Sequence, residues 1–134
     1  MGALIDSSLW VDYFRMKTPR AVKEQVVAVA DEENAVLCEP VRLEILRAAL
    51  RTDRRRVEET FATLPMMSTP PHIWQQAMSL GQSCLDEGLQ PPSMDLLIAS
   101  VCLHHGIEIV TFDTHFADIA KVSPLKVRLL KRET

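Results

Sequence analysis

Two aspartates near the end of the chain are well placed for chemistry, because they flank one predicted helix-to-strand unit. From Asp95 to Gly106 the sequence is apolar on nearly every side, which is typical of a helix buried between other elements. We expect Ser93 to cap this helix, Asp95 to lie in its first turn and Gly106 to end it. A short β-branched run then leads to Asp113, which the pattern places at the carboxyl end of a strand.

Two further acids have comparable surroundings. Asp6 follows a short apolar run, so it lies at the end of another predicted strand, either as a plain helix cap or as part of a site. Glu44 lies in a predicted apolar helix of residues 40–50, where an unpaired buried charge would be costly. Glu44 therefore either pairs with Arg47 or Arg51, or faces a polar cleft.

Carboxylates that converge without a histidine base favour one kind of chemistry. Acids held close together repel one another and take up protons unless a cation lies among them. An all-oxygen ligand set selects a hard cation, Mg²⁺ or Mn²⁺ rather than zinc. Such an ion polarises a phosphoryl oxygen and activates water, which is the chemistry of phosphodiester hydrolysis. If Asp6, Glu44, Asp95 and Asp113 converge, the sequence predicts a metal site of this type.

Several other mechanisms lack the residues that they need. The four glycines form neither a P-loop nor a GxGxxG fingerprint, and the chain contains no Gly-x-Ser-x-Gly elbow. The histidines have no zinc-ligand spacing, and His104 and His105 are expected at a helix end, where they suit the helix dipole. A receiver-like phosphoacceptor domain also places acids at strand ends, but it needs an opposing lysine that no predicted strand supplies.

The elements that must position these acids alternate along the chain in the order β-α-α-β-α-α-α-α-β-α-β. Ser7 or Ser8 is expected to cap the first helix, and Thr18 with Pro19 to open the second. Short apolar runs predict strands around residues 3–5, 35–38, 107–111 and 127–130. The alternation predicts an α/β fold with a small central parallel sheet flanked by helices, whose site lies at the carboxyl edge of the strands.

Length and composition limit the possible classes of protein. The 134 residues, 47% of them hydrophobic, predict a single domain over residues 1–134. A net charge of −3 excludes electrostatic nucleic-acid binding by the whole surface but permits a local basic rim. The three cysteines have apolar neighbours and no CxxC spacing, so we expect buried, reduced thiols. No signal-peptide or membrane-span pattern is present, and we expect a cytoplasmic protein.

A group of arginines lies in and after the helix that carries Glu44. Such a run is either a solvated helix face or a rim that contacts phosphates, because guanidinium forks match phosphate oxygens. Its members are Arg42, Arg47, Arg51, Arg54, Arg55 and Arg56.

The ordered motifs of the chain resemble those of the PIN-domain nucleases. The motifs are Asp6-Ser7-Ser8 after a short strand, Glu44 in a mid-chain helix, Asp95-Leu96-Leu97-Ile98-Ala99 in a helix that ends at Gly106, and Thr111-x-Asp113-x-x-Phe116. In length and layout the chain is most similar to the VapC toxins of bacterial toxin–antitoxin pairs. The likeness covers nearly the whole chain.

This resemblance implies a PIN-like fold and a Mg²⁺- or Mn²⁺-dependent endoribonuclease. Members of the family usually form homodimers and are silenced by a cognate VapB-type antitoxin. The resemblance implies that the catalytic residues and metal ligands are Asp6, Glu44, Asp95 and Asp113, supported by the hydroxyls of Ser8 and Thr111. The RNA substrate is then expected along the arginines, at Arg42, Arg47, Arg51, Arg54 and Arg55.

One position departs from the family pattern. His115 stands where many relatives carry a further acid, so the sequence does not establish a second metal site. The alternative function is a catalytically silent PIN-like module that binds a partner protein. An incomplete acid set would favour that alternative, and the set in this sequence is complete. In either case an arginine from an antitoxin would suit the acidic pocket.

Overall fold

The computed structural model describes residues 2–134, in which short strands alternate with longer helices. The strands are β1 (Leu4–Ile5), β2 (Leu37–Cys38), β3 (Met66–Met67), β4 (Ile109–Thr111) and β5 (Val127–Leu129). The helices are α1 (Ser7–Phe14), α2 (Arg20–Glu32), α3 (Glu39–Ala48), α4 (Arg54–Phe61), α5 (Ile73–Asp86), α6 (Ser93–His105) and α7 (His115–Ala120). Apart from β3, the order is the predicted one, and the predicted α/β class is confirmed.

All the strand pairs are parallel. β4 lies between β1 and β5, and Leu4 of β1 is opposite Ile109 of β4. β2 pairs with β3, where Leu37 is opposite Met66. A parallel bridge between Leu4 and Val36 joins the two groups, so the strands run in the spatial order β3-β2-β1-β4-β5. The carboxyl ends of β1 and β4 therefore lie side by side near the middle of the sheet.

Helix α6 is buried along most of its length, as its apolar sequence predicts. The side chains from 97 to 102 are all buried. The helix begins after Pro92, so Ser93 is its first residue and does not cap it, contrary to the prediction. It ends at Gly106, whose φ of 65° is the left-handed conformation expected there. Because α6 runs back along the sheet before β4, the first turn of α6 lies at the carboxyl edge of the strands.

The aromatic side chains of α1 anchor that helix against α4. The ring centroids of Trp10 and Phe61 are 5.4 Å apart with an interplanar angle of 80°. Edge-to-face pairs of this kind stabilise a fold by about 0.5–1.5 kcal/mol beyond the burial of their area. The packing fixes the helix that begins directly after Asp6.

Two further local predictions differ from the structure. The cap of α1 is Asp6 rather than either serine, and α2 begins after Pro19 without a side-chain cap from Thr18. β3 is missing from the predicted order because Met66 and Met67 are partly exposed and show no alternation. Pairing with β2 makes this segment a strand.

The remaining expectations from composition concern the thiols and the membrane. All three cysteines are free and buried, as predicted. Among residues 2–134, no helix has both the length and the apolar character needed to cross a membrane.

Candidate active site

Asp6 follows β1 directly and takes the capping role, which is one of the two roles that the sequence left as alternatives. Its side chain caps α1 by accepting a hydrogen bond from the backbone N–H of Ser8 at 3.4 Å. Its Oδ2 also accepts hydrogen bonds from the hydroxyls of Ser8 and Thr111, both at 2.8 Å. The residue is only 2% exposed. Asp6 is thus held between α1 and β4.

The hydroxyls of Ser8 and Thr111 connect the ends of β1 and β4. Ser8 Oγ lies 3.3 Å from Thr111 Oγ1 and accepts a hydrogen bond from the N–H of Phe112 at 3.1 Å. Thr111 Oγ1 accepts a hydrogen bond from the N–H of Asp113 at 2.8 Å. Because Thr111 contacts both Asp6 and the backbone of Asp113, it fixes the two strand-end acids relative to each other.

Glu44 approaches the same edge of the sheet from α3. Ser7 Oγ donates a hydrogen bond to Glu44 Oε1 at 2.9 Å and lies 3.4 Å from Asp6 Oδ1. Among the ion pairs of residues 2–134, none involves Glu44. Of the two alternatives for Glu44, the structure therefore favours the polar cleft. Ser7 thereby joins the candidate site, whereas the sequence analysis treated it as a possible cap and as part of the Asp6-Ser7-Ser8 motif without a role of its own.

Asp95 and Asp113 meet at the imidazole of His115. His115 Nδ1 lies 3.2 Å from Asp95 Oδ2 and 3.0 Å from Asp113 Oδ1. The backbone N–H of His115 also donates to Asp113 Oδ1 at 2.8 Å, which fixes these two residues relative to each other. The three side chains each offer one possible ligand atom within 4.8 Å of the others. The sequence identified His115 only as a departure from a family pattern, and the structure brings it into the site.

Comparison with known proteins shows which family the chain belongs to. A family model described as the PIN domain matches residues 3–122, a range that contains all four acids. The chain belongs to the PIN-domain family. This PIN domain is 32% identical over 127 residues to Ribonuclease VapC11 of Mycobacterium tuberculosis, a match that covers 92% of this chain and 95% of that relative.

Solved structures show the same fold at lower sequence identity. The VapBC2 structure from Rickettsia felis, bound to a DNA fragment from its promoter, has a TM-score of 0.76 at 15% identity and covers 98% of this chain and 100% of that one. A toxin–antitoxin complex from Klebsiella pneumoniae has a TM-score of 0.70 at 20% identity and covers 93% and 99%. The predicted PIN-like fold is therefore confirmed.

Burial makes it costly to ionise all the acids of this PIN domain together. Burial, followed by the charges of the three neighbouring acids, raises the pKa of Asp95 to about 7. Burial also raises the pKa of Asp6, although the hydrogen bonds to its carboxyl oppose the shift. The pKa of Glu44 is raised by burial too, against the effect of the Ser7 hydroxyl. A cation among these oxygens would remove the repulsion, so the donor set fits a divalent metal ion.

Two buried thiols lie behind the acids. Burial raises the pKa of Cys38 to about 12 and raises the pKa of Cys102 well above its usual range. Both thiols therefore stay protonated in the metal-free protein. Within residues 2–134, the cluster of possible ligand atoms consists of Asp95, Asp113 and His115 and contains neither thiol.

Two of the predicted RNA-binding arginines form ion pairs with glutamates. Arg42 contacts Glu58 at 2.8 Å and Glu39 at 3.6 Å. Arg55 contacts Glu59 at 2.9 Å. Their charges are thus partly neutralised within the chain.

The other arginines differ in how freely they can reach a ligand. Arg54 and Arg56 each donate a hydrogen bond to a backbone carbonyl. Arg47 and Arg51 are exposed, and neither forms an ion pair within residues 2–134. Arg47 lies one turn after Glu44, and its charge lowers the pKa of that acid. Of these two arginines without an ion pair, Arg47 is therefore the one whose charge reaches the site.

The remaining histidines lie at the opposite end of α6 from Asp95. His104 and His105 occupy the last turn of the helix, as predicted. His72 Nε2 lies 3.2 Å from His104 Nδ1, and His105 Nε2 lies 2.8 Å from the carbonyl oxygen of Ser68. At the rise of an α-helix, His104 is roughly 14 Å from Asp95 along the axis.

Proposed function

We propose that residues 1–134 form one PIN domain that acts as a metal-dependent endoribonuclease and hydrolyses phosphodiester bonds of RNA. The observation that carries the proposal is the meeting of Asp6, Glu44, Asp95 and Asp113 at one edge of the sheet, where the pKa of Asp95 is raised to about 7. Buried acids that repel one another need a cation, and a divalent ion beside a phosphate supplies one. The name of the relative Ribonuclease VapC11 supports RNA as the substrate.

We propose Mg²⁺ or Mn²⁺ as the cofactor, with the four acids as its ligands and as the catalytic residues. When bound, the ion supplies charge stabilisation to the phosphoryl oxygens and a water acidic enough to attack phosphorus. Ser8 and Thr111 orient the Asp6 carboxyl, and Ser7 orients that of Glu44. These hydroxyls fix the carboxyl oxygens before a substrate arrives, which is how supporting residues tune a metal site.

We propose that RNA lies across the arginines beside α3, with Arg47 and Arg51 as the main phosphate contacts. Both are exposed and free of carboxylate partners within the described chain, whereas Arg42 and Arg55 must first leave their glutamates. Arg54 keeps its backbone hydrogen bond while it faces solvent. Phosphate contacts of this kind add affinity without sequence preference, and salt weakens them.

We also propose that the chain is the toxin of a toxin–antitoxin pair and binds a VapB-type antitoxin. The similar solved structures include a VapBC2 structure and a toxin–antitoxin complex, which supports a partner of this kind. A guanidinium group from such a partner would pair with the clustered carboxylates in a bidentate manner. Binding there would also exclude a metal ion and RNA from the acids.

We propose that the predicted homodimer forms through an uncharged face of α5. Trp74, Met78 and Leu85 are 57%, 59% and 58% exposed, and their spacing places them on one side of the helix. Between Ile73 and Leu85 the sequence carries no charged side chain, so two copies can pack this face together without burying charge. Light scattering by the purified chain tests for the dimer.

The alternative, a catalytically silent PIN-like binding module, is not favoured. It would explain an incomplete acid set, but all four acids are present and their side chains face one edge of the sheet. The relative at 32% identity is also named a ribonuclease. The cytoplasmic location stays a prediction.

Cleavage of total bacterial RNA by the purified protein tests the proposed function. We expect discrete fragments with Mg²⁺ or Mn²⁺, none with EDTA, and none from Asp6→Asn. Asparagine caps a helix about as well as aspartate, so this variant should keep α1 and its fold. Asp86→Asn, at the exposed end of α5, is the matched control that makes the same substitution outside the site.

Two results would overturn the nuclease proposal. One is an Asp6→Asn protein that cleaves as well as the wild type. The other is a wild-type protein, shown to be free of antitoxin, that cleaves no RNA with either metal.

A further inference from the structure

We propose that His115 is a ligand of the divalent ion in this PIN domain and shifts the preference of the site from Mg²⁺ toward Mn²⁺. This inference rests on the proposed nuclease function for the role of the metal, but the binding itself is measured separately. His115 would add a nitrogen donor to a site whose other proposed ligands are carboxylate oxygens.

The spacing of the donor atoms fits a shared ion. His115 Nδ1 lies 3.2 Å from Asp95 Oδ2 and 3.0 Å from Asp113 Oδ1. One possible ligand atom from each of the three side chains also lies within 4.8 Å of the other two. A divalent ion binds several ligand atoms at once, so the imidazole and the two carboxyls would be close enough to hold one ion together.

The backbone holds the imidazole in this position. The N–H of His115 donates to Asp113 Oδ1 at 2.8 Å, and the next residue, Phe116, is fully buried. The side chain of His115 is 46% exposed, whereas that of Asp95 is 11% exposed. The site is thus anchored on its protein side and open on its solvent side, where water and a phosphate have access.

A simpler explanation is that His115 acts only as a positive partner for the acids. Within residues 2–134, however, His115 is the one basic side chain that pairs with any of the four acids, and it contacts only Asp95 and Asp113. Asp6 and Glu44 have no such partner there. A divalent ion would supply positive charge to the whole group, and an imidazole nitrogen is among the ligands that such an ion accepts.

The nitrogen donor determines the expected metal preference. Mg²⁺ is a hard ion that prefers oxygen ligands and keeps several waters, whereas imidazole is a good ligand for first-row transition metals. The wild-type site should therefore bind Mn²⁺ more tightly than Mg²⁺, and His115→Asp should reduce that difference.

Pulsed EPR of Mn²⁺ bound to the full metal-free chain tests the assignment, because ¹⁴N coupling reports an imidazole ligand. We expect the coupling in the wild type and its loss in His115→Asp. His104→Ala is the matched control, since it removes one imidazole of the pair formed by His72 and His104, which lies away from the acids. The coupling should persist in that variant. By calorimetry, the ratio of Mn²⁺ to Mg²⁺ affinity should fall about tenfold in His115→Asp.

The outcomes separate this inference from the nuclease proposal. Absence of ¹⁴N coupling in the wild type, or its survival in His115→Asp, overturns the ligand assignment even if the protein cleaves RNA. Coupling that depends on His115 in a protein without nuclease activity supports the assignment and overturns the nuclease proposal. If His115→Asp does not fold, His115→Gln gives the same spectroscopic readout with a neutral side chain.

Discussion

The two ends of α6 both gather ionisable side chains, but in opposite surroundings. At the first turn, Asp95 is buried and its carboxyl lies 3.2 Å from His115 Nδ1. At the last turn, exposed His104 lies 3.2 Å from His72. By distance alone each end resembles a ligand cluster. Only the first end lies where two parallel strands finish and where side chains from α1 and α3 also arrive.

This difference shows that topology, rather than the local density of ionisable groups, builds the site. At the acidic end, hydroxyls from separate elements hold the carboxyls, as Thr111 and Ser8 hold Asp6. At the histidine end, imidazoles contact one another and the carbonyl of Ser68 at the surface. Buried carboxylates that are costly to ionise, and whose oxygens are held in place by hydrogen bonds, suit a metal ion. The exposed pair of imidazoles has access to water and forms its own hydrogen bond, so it has no such need of a cation.

The largest expected effect compares the two ends directly through Asp95→Asn and His104→Ala. Asp95→Asn removes a proposed metal ligand, and we expect RNA cleavage with Mn²⁺ to fall by about 100-fold or more. His104→Ala should leave the initial rate of cleavage unchanged, because it lies outside the proposed site. Initial rates on one defined RNA measure both effects. Similar losses from the two substitutions would break the distinction between the ends.

The next effect concerns the hydroxyl network that only the acidic end possesses. Thr111→Val keeps the shape of the side chain but removes the donor to Asp6 and the acceptor for the N–H of Asp113. We expect cleavage to fall about 10- to 100-fold. The free energy of unfolding should fall by about 1–3 kcal/mol, measured by urea denaturation. Thr111→Ser is the control that keeps the hydroxyl, and an equally inactive Ser variant would show that the methyl group matters instead.

The smallest effect is on the pH dependence of stability. The acidic end of α6 should make stability fall as the pH rises, and the histidine end should make it rise. The pKa of Asp95 is raised to about 7 in the folded protein, mainly by burial. Between its ordinary pKa of about 4 and pH 7, the folded state keeps a proton that the unfolded chain has lost, so stability falls as pH rises. Partial loss of hydration, followed by the charges of neighbouring imidazoles, lowers the pKa of His104. Below about pH 6.5 the unfolded chain therefore binds a proton at this residue more readily than the folded protein, so stability falls as the pH falls.

Urea unfolding in EDTA over a series of pH values measures these slopes. Asp95→Asn should reduce the fall in the free energy of unfolding between about pH 4 and pH 7. His104→Ala should change only the smaller rise in the free energy of unfolding with pH that His104 causes. Excess Mn²⁺ should reverse the acidic slope, because metal ligands bind in their deprotonated form. A slope that Asp95→Asn leaves unchanged would assign the effect to another acid.

Local patterns in the sequence were sufficient to predict the buried helix α6 and the two acids at the strand ends. The apolar run before Gly106 predicts the buried helix, and two short apolar runs, of which the second is β-branched, place Asp6 and Asp113 at strand ends. These features depend on neighbouring residues, since a buried helix must be apolar and a left-handed end favours glycine. The ordered acids also point to the PIN-domain family, which the match over residues 3–122 confirms.

Only the tertiary structure decided how the side chains meet at this edge. Ser7 reaches Glu44 across 37 residues of sequence, and His115 reaches Asp95 across 20. The β3 strand likewise exists only through its pairing with β2. Such contacts depend on the register of parallel strands and on the packing of helices from distant parts of the chain. A local pattern identifies which residues are able to form a site, but the orientation of Glu44 and the entry of His115 are set by contacts that no short stretch of sequence contains.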